Sequence, residues 1–330
     1  MGLIKNRGGF EMSFSMIFSL IAGGIILFLA VYATIKLVNQ GQETTYIEAA
    51  KSIDNYLGNL VTGIAEGAST KISFRKETRV IFECSPPSED INSPFGKQTI
   101  KFSEESGIGQ KWYNSTNKIT RKNKYIFADN VEQGKKMFIF IKPFYMGFKV
   151  DDLIIMSSNN YCFIRNGAGP SRIIEDLENL QMENVHFADS RDACGKNITV
   201  CFGYGCDGDI QVSNDQCSGC EYDYEAGTVT KEGETSSYVG NLLYGAIFSS
   251  KNIYDCNVAR LGKKTAALAE LYSEKMRLVS LKGCDSRIET ELNSLSSENI
   301  IGEYSTAKEM DEYNALANCK IYPGESYGNA

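Results

Sequence analysis

The chain has 330 residues, a formal net charge of −7 and an isoelectric point near 5.1. Hydrophobic residues make up 42% and there are only six prolines, which excludes a disordered chain and leaves ample material for a folded core. The acidic balance, without a basic stripe, excludes nucleic acid and anionic membrane surfaces as electrostatic partners.

Met12–Ile35 is an uncharged run of 24 residues. As a helix it is about 36 Å long, enough for a hydrocarbon core of about 30 Å with modest tilt. Val31-Tyr32-Ala33 offers a secretory cleavage site, but the run exceeds the apolar region of about 7–15 residues in a signal peptide. A buried core helix seldom has such a run next to a basic leader. The segment reads as a retained membrane anchor. Lys5 and Arg7 precede it, whereas Lys36 is the one basic residue after it before Lys51. The positive-inside rule then puts the N-terminus in the cytoplasm and the rest outside.

The leader MGLIKNRGGFE, with Lys5 and Arg7 followed by Gly8, Gly9, Phe10 and the apolar run, resembles the N-terminus of type IV prepilins. That resemblance covers about a tenth of the chain. It implies cleavage after Gly9, leaving Phe10 first, and self-association through the apolar helix. The chain departs from the family at Glu11, which would be the second mature residue where the family usually has glutamate at the fifth.

Beyond the anchor, Ile53, Leu57, Leu60, Val61 and Ile64 recur at helical spacing, and Gly67 stops the pattern. Thr78–Glu83, Lys97–Phe102, Tyr125–Asp129, Lys136–Ile141, Leu153–Met156 and Tyr161–Ile164 are rich in β-branched and aromatic residues and read as strands. The aromatic stretch Met137–Phe148 reads as a buried central strand with the turn after it, and otherwise as a binding face. Pro170 opens a helix carrying Ile173, Ile174, Leu177 and Leu180; Val185–Phe187 and Ile198–Phe202 are strands again. His186, the single histidine, reads as a packed or surface residue. Without a second histidine a multi-histidine zinc site cannot form, and serine or cysteine triad chemistry would rest on His186 alone.

Five cysteines, Cys194, Cys201, Cys206, Cys217 and Cys220, fall within 27 residues. In an oxidising compartment this reads as a disulfide-stapled insertion, with Cys194 bonded elsewhere or free. The spacing of Cys201, Cys206, Cys217 and Cys220 also approaches a zinc ribbon. A redox-active Cys217/Cys220 pair is a third reading, disfavoured by the acidic Glu221–Glu225 that follows. Gly203, Gly205 and Gly208 match a dinucleotide fingerprint by letter, but Asp209–Gln216 makes a poor helix start, so they read as turns. Asn114 and Asn197 head glycosylation sequons.

Ser236–Phe248, Asn252–Lys282, Asp285–Leu295 and Thr306–Asn318 read as helices, the last with Thr306 and Glu309 as a capping box. Along an unbroken helix Cys256 and Cys284 are about 42 Å apart, too far for a disulfide. Cys319 then pairs with Cys284 if the two short helices fold back, or with Cys256 if they run end to end; the first is favoured because folding back buries more apolar surface.

The class is α+β: a transmembrane helix continuing into a mixed ectodomain with a C-terminal helical bundle. The segments are a leader (1–11), the anchor (12–35), a juxtamembrane helix (36–68), a β-rich domain (69–168), a mixed α/β segment with the cysteine-rich insertion (169–235) and the bundle (236–330). No P-loop, paired-carboxylate signature or nucleophile elbow stands out, and no cofactor is expected. The expected function is that of a single-pass, surface-exposed structural or interaction protein. The alternatives are a pilin-like filament subunit and a tethered extracytoplasmic enzyme or thiol oxidoreductase.

Overall fold

A computed structural model of the chain describes residues 14–59, 69–88, 91–105, 112–165, 171–214, 224–284 and 286–323. The chain is α+β and divides into a unit ending at Glu48 and a compact unit from Ala49 onward.

The first helix, α1 (Phe14–Asn59), contains the apolar stretch. The compact unit has two six-stranded sheets and five further helices among the described residues. The first sheet, A, is made from β1 (Ser69–Ser85), β2 (Lys97–Glu105), β3 (Trp112–Arg121), β4 (Tyr125–Phe127), β5 (Val131–Met146) and β6 (Phe148–Ser157). Its order is β3-β2-β1-β5-β6-β4, antiparallel except where β4 runs parallel to β6. The long β1 and β5 lie at its centre, as expected for strands rich in Val, Ile and Phe. The stretch Met137–Phe148 is accordingly a buried central strand and its turn. β3 was not expected; its sequence WYNSTNKITR is mostly polar, which suits an edge strand paired on one side only.

The second sheet, B, begins with β7 (Tyr161–Ile164), then α2 (Ser171–Asn179) and β8 (Val185–Ala188), a parallel crossover. A short 3₁₀ turn follows at Asp192–Cys194, then β9 (Ile198–Phe202), β10 (Ile210–Asn214), β11 (Ala226–Lys231) and β12 (Glu234–Val239). The order is β12-β11-β10-β9-β7-β8. The helix expected over Ser236–Phe248 is instead the end of β12 followed by α3 (Leu242–Phe248). Ser236 and Tyr238 both face inward at alternate positions, the period of a strand.

α3 has the sequence LLYGAIF, apolar all round, and every one of its residues is buried. A β-carbon added at Gly245 would come within 2.6 Å of the Phe127 ring, so only glycine permits this approach to sheet A. α4 (Lys251–Ser280), α5 (Glu289–Leu295) and α6 (Tyr304–Leu316) complete the unit. Thr306 lies inside α6, whose N-cap is Glu303, so the expected capping box does not form.

One hydrophobic core joins these parts. Phe140 and Ile155 of sheet A, Phe163 and Val200 of sheet B, and Ile247, Leu261 and Leu292 of the helices all belong to it. On the opposite face of sheet A, Ile139, Ile141, Ile154 and Met156 are buried as well. Within the compact unit, Ile53 and Leu57 of α1 are buried, and Asp54 between them pairs with Arg121 at the end of β3. Helical spacing of i and i+4 puts the two apolar side chains on one stripe.

Candidate functional site

The apolar part of α1, Phe14–Thr34, has a mean hydropathy of 2.5, and none of it is buried by the protein itself. Phe14, Phe18, Leu20, Ile26, Leu27 and Phe28 are each more than 60% exposed. A helix apolar on every side and uncovered is unfavourable in water; this one is long and apolar enough to cross a membrane.

The cysteines are arranged in pairs. Cys84 of β1 is bonded to Cys256 of α4, Cys162 of β7 to Cys194, Cys201 to Cys206, and Cys284 to Cys319, with Cα–Cα distances of 6.1, 5.6, 5.9 and 5.8 Å. These distances lie in the normal disulfide range. Cys194 thus reaches outside its own cluster, and Cys256 has Cys84 as its partner. The bond between Cys201 and Cys206 takes both sulfurs out of the zinc ribbon that their spacing suggested. Cys217 and Cys220 lie outside the described residues. Among the described residues no group of three or more His, Cys, Asp or Glu is placed to hold a metal.

Cys201 and Cys206 close a loop whose glycines carry the sharp turns: Gly203 has φ +102° and Gly205 φ +69°. Strand β10 follows them, so the letters of the dinucleotide fingerprint serve a turn. Asp209 braces the base of this loop, accepting hydrogen bonds from the Thr199 amide (2.9 Å) and hydroxyl (2.8 Å) and pairing with Arg191 (2.8 Å). Hydrogen bonds from Thr199, helped by Arg191, hold the Asp209 carboxyl below its ordinary value. Asn197, the sequon residue just before β9, is half-buried, and Asn114 lies in β3 opposite Ser103. His186 sits exposed on β8.

A groove of about 420 Å³ opens between the end of β4, the β11–β12 hairpin and the first turn of α4. Its wall carries Asp129, Lys231, Lys251 and Asp255, with Glu232 and Glu234 at the hairpin. Both lysines are already held by carboxylates, Lys231 by Asp129 (2.7 Å) and Lys251 by Asp255 (2.8 Å). The groove is therefore polar and acidic. Single-sequence patterns did not mark it, because Asp129 and Asn130 lie about a hundred positions before the hairpin and helix residues that complete it.

No protein-family model, curated protein or solved structure matches this chain.

Eight of the ten cysteines are paired in the structure, which leaves Cys217 and Cys220. The unreduced protein is expected to show no free thiol when titrated in denaturant, and ten after reduction. Two reactive thiols per chain, or stoichiometric zinc released by a chelator, would refute the expectation that these last two are also oxidised.

Proposed function

We propose that this protein is a single-pass, membrane-anchored protein whose compact unit faces outside the cytoplasm and serves a structural or interaction role. The observation that supports this reading is the combination, in one chain, of an uncharged, uncovered apolar helix with a folded unit tied by four disulfides. Disulfides persist in oxidising compartments, and the Lys5/Arg7 bias favours a cytoplasmic N-terminus. A polar groove whose cations are already neutralised, together with a single exposed histidine, favours binding over catalysis. Protease added to intact cells is expected to remove the compact unit. Its survival in intact cells, with digestion only after lysis, means the opposite orientation.

A second reading, a pilin-like filament subunit processed after Gly9, is compatible with α1, an apolar helix that runs on to the buried Ile53 and Leu57, although an ordinary anchor has the same form. The uncharged stretch would then pack against its copies in other subunits. Intact mass separates the two readings, since processing deletes the first nine residues.

A further inference from the structure

Sheets A and B meet at a cluster of ionisable side chains. Glu132, near the start of β5, is fully buried. One of its oxygens accepts hydrogen bonds from the backbone amide (2.7 Å) and the hydroxyl (2.5 Å) of Ser158. Ser158 lies in the turn that carries the chain from β6 in sheet A to β7 in sheet B. The other oxygen accepts a longer bond, 3.4 Å, from the Asp129 amide.

The groups around Glu132 are unusual for a buried carboxylate. Its neighbour on β1 is Val80, which is apolar. The charged group that acts on it is Asp129, of the same sign. Lys231 of β11 is committed to Asp129, and Asn159 of the turn reaches Asp129 at 3.4 Å. The hydroxyl of Tyr161, at the start of β7, is pushed well above its ordinary value by burial first and then by the charges of Asp129 and Glu132, while Ser157 and Asn159 oppose the shift. A buried anion without a cation of its own is costly, so such a group tends to take up a proton instead. Burial pushes the Glu132 carboxyl up to about 7; the Ser158 bonds oppose the shift and the Asp129 charge adds to it. Asp129 lines the groove, so water and protons reach the edge of the cluster.

We propose that Glu132 and Asp129 form a proton-operated joint between the two sheets. With Glu132 protonated, its carboxyl holds the β6–β7 turn against sheet A and places no second charge beside Asp129. When the proton leaves to water through the groove, a fully buried carboxylate without a cation of its own stands near half-buried Asp129; that cost outweighs the stronger Ser158 bonds to the anion, and the turn loosens. The sign follows from linkage. Glu132 binds its proton more tightly in the folded chain than the ordinary 4.5 of a free carboxyl. Its contribution to stability is complete below that value, falls as pH rises towards 7, and is gone above it.

The test is hydrogen exchange of the full chain in detergent micelles, reading the amides of Ser158, Asn159 and Tyr161 and correcting for the intrinsic pH dependence. In the native protein the opening equilibrium is expected to rise by up to about tenfold per pH unit between 5 and 7, the slope of one linked proton, and to level off by pH 8. In Glu132→Gln, which cannot ionise, that slope disappears. Native amides without this response, or a Glu132→Gln variant that keeps it, would overturn the joint. If Glu132→Gln fails to fold, Asp129→Asn replaces it: removal of the neighbouring charge should move the midpoint to lower pH, and an unmoved midpoint overturns the proposal equally.

Discussion

Arg260→Met lowers the stability of the compact unit by about 3–5 kcal/mol, the scale on which a buried charged group leaves its partners stranded. Arg260 is fully buried on α4. Its guanidinium donates to the backbone carbonyls of Phe95 (3.0 Å), Lys122 (2.9 Å) and Lys124 (2.9 Å), and to the side chains of Asn257 (2.8 Å) and Gln98 (3.2 Å). It also lies over the Tyr125 ring at 4.6 Å. Gln98 and Asn257 in turn donate to the Ile126 carbonyl at 2.6 and 2.8 Å, so α4, the start of β2 and the strand β4 form one polar knot inside the core. Methionine fills much of the volume but abandons three buried carbonyls, each costing about 1–3 kcal/mol when unsatisfied. Arg260→Lys is expected to lose about half as much, because a point ammonium with three donors cannot span a fork of five. Denaturant unfolding followed by circular dichroism checks both variants. An Arg260→Met protein within about 1 kcal/mol of the parent would mean that water or a local shift satisfies those carbonyls instead.

Removing the Cys84–Cys256 bond in the double variant Cys84→Ser/Cys256→Ser costs about 5 kcal/mol on the chain-entropy model. The two cysteines are 172 positions apart, so this bond closes by far the longest loop of the four. Cys201→Ser/Cys206→Ser, by contrast, opens a loop of separation 5 and should cost about 2 kcal/mol on the same model. The comparison between the two variants is the informative measurement, since any general effect of serine is common to both. Equal losses would mean that the stabilisation comes from native packing around the sulfurs rather than from restricting the unfolded chain. Cys256 lies one turn before Arg260 on α4, so the first two predictions concern coupled sites, and combining the substitutions should not give a simple sum.

Much of the architecture is visible along the chain. The uncharged run before Lys36 specifies the apolar helix by length and composition alone. Tyr161–Ile164 is expected and found as β7, because YCFI between polar breaks has few alternatives to a buried strand. The long helix expected over Asn252–Lys282 is α4, shifted by a residue or two at its ends. These elements carry their pattern within a dozen or so neighbouring residues, and local spacing decides them.

The remainder depends on contacts between distant segments. β3 has a sequence too polar to announce a strand and exists because β2 offers it an edge. The seven residues of α3 pass for the tail of a longer helix until Tyr238 turns inward beside β11. The division of the strands into two sheets, with β6 in one and β7 in the other, rests on the turn at Ser157–Asn160. Nothing in that short polar break distinguishes it from a hairpin. Arg260 and Glu132 give no sign in the sequence of being buried. A charged residue reads as solvated until the fold surrounds it with carbonyls in one case and with Ser158 and a second carboxylate in the other. Amphipathic periodicity reports which face of an element is apolar, but the desolvation of a charge and the partners that compensate it are properties of what packs against that face, and those are set only when the whole chain has closed around it.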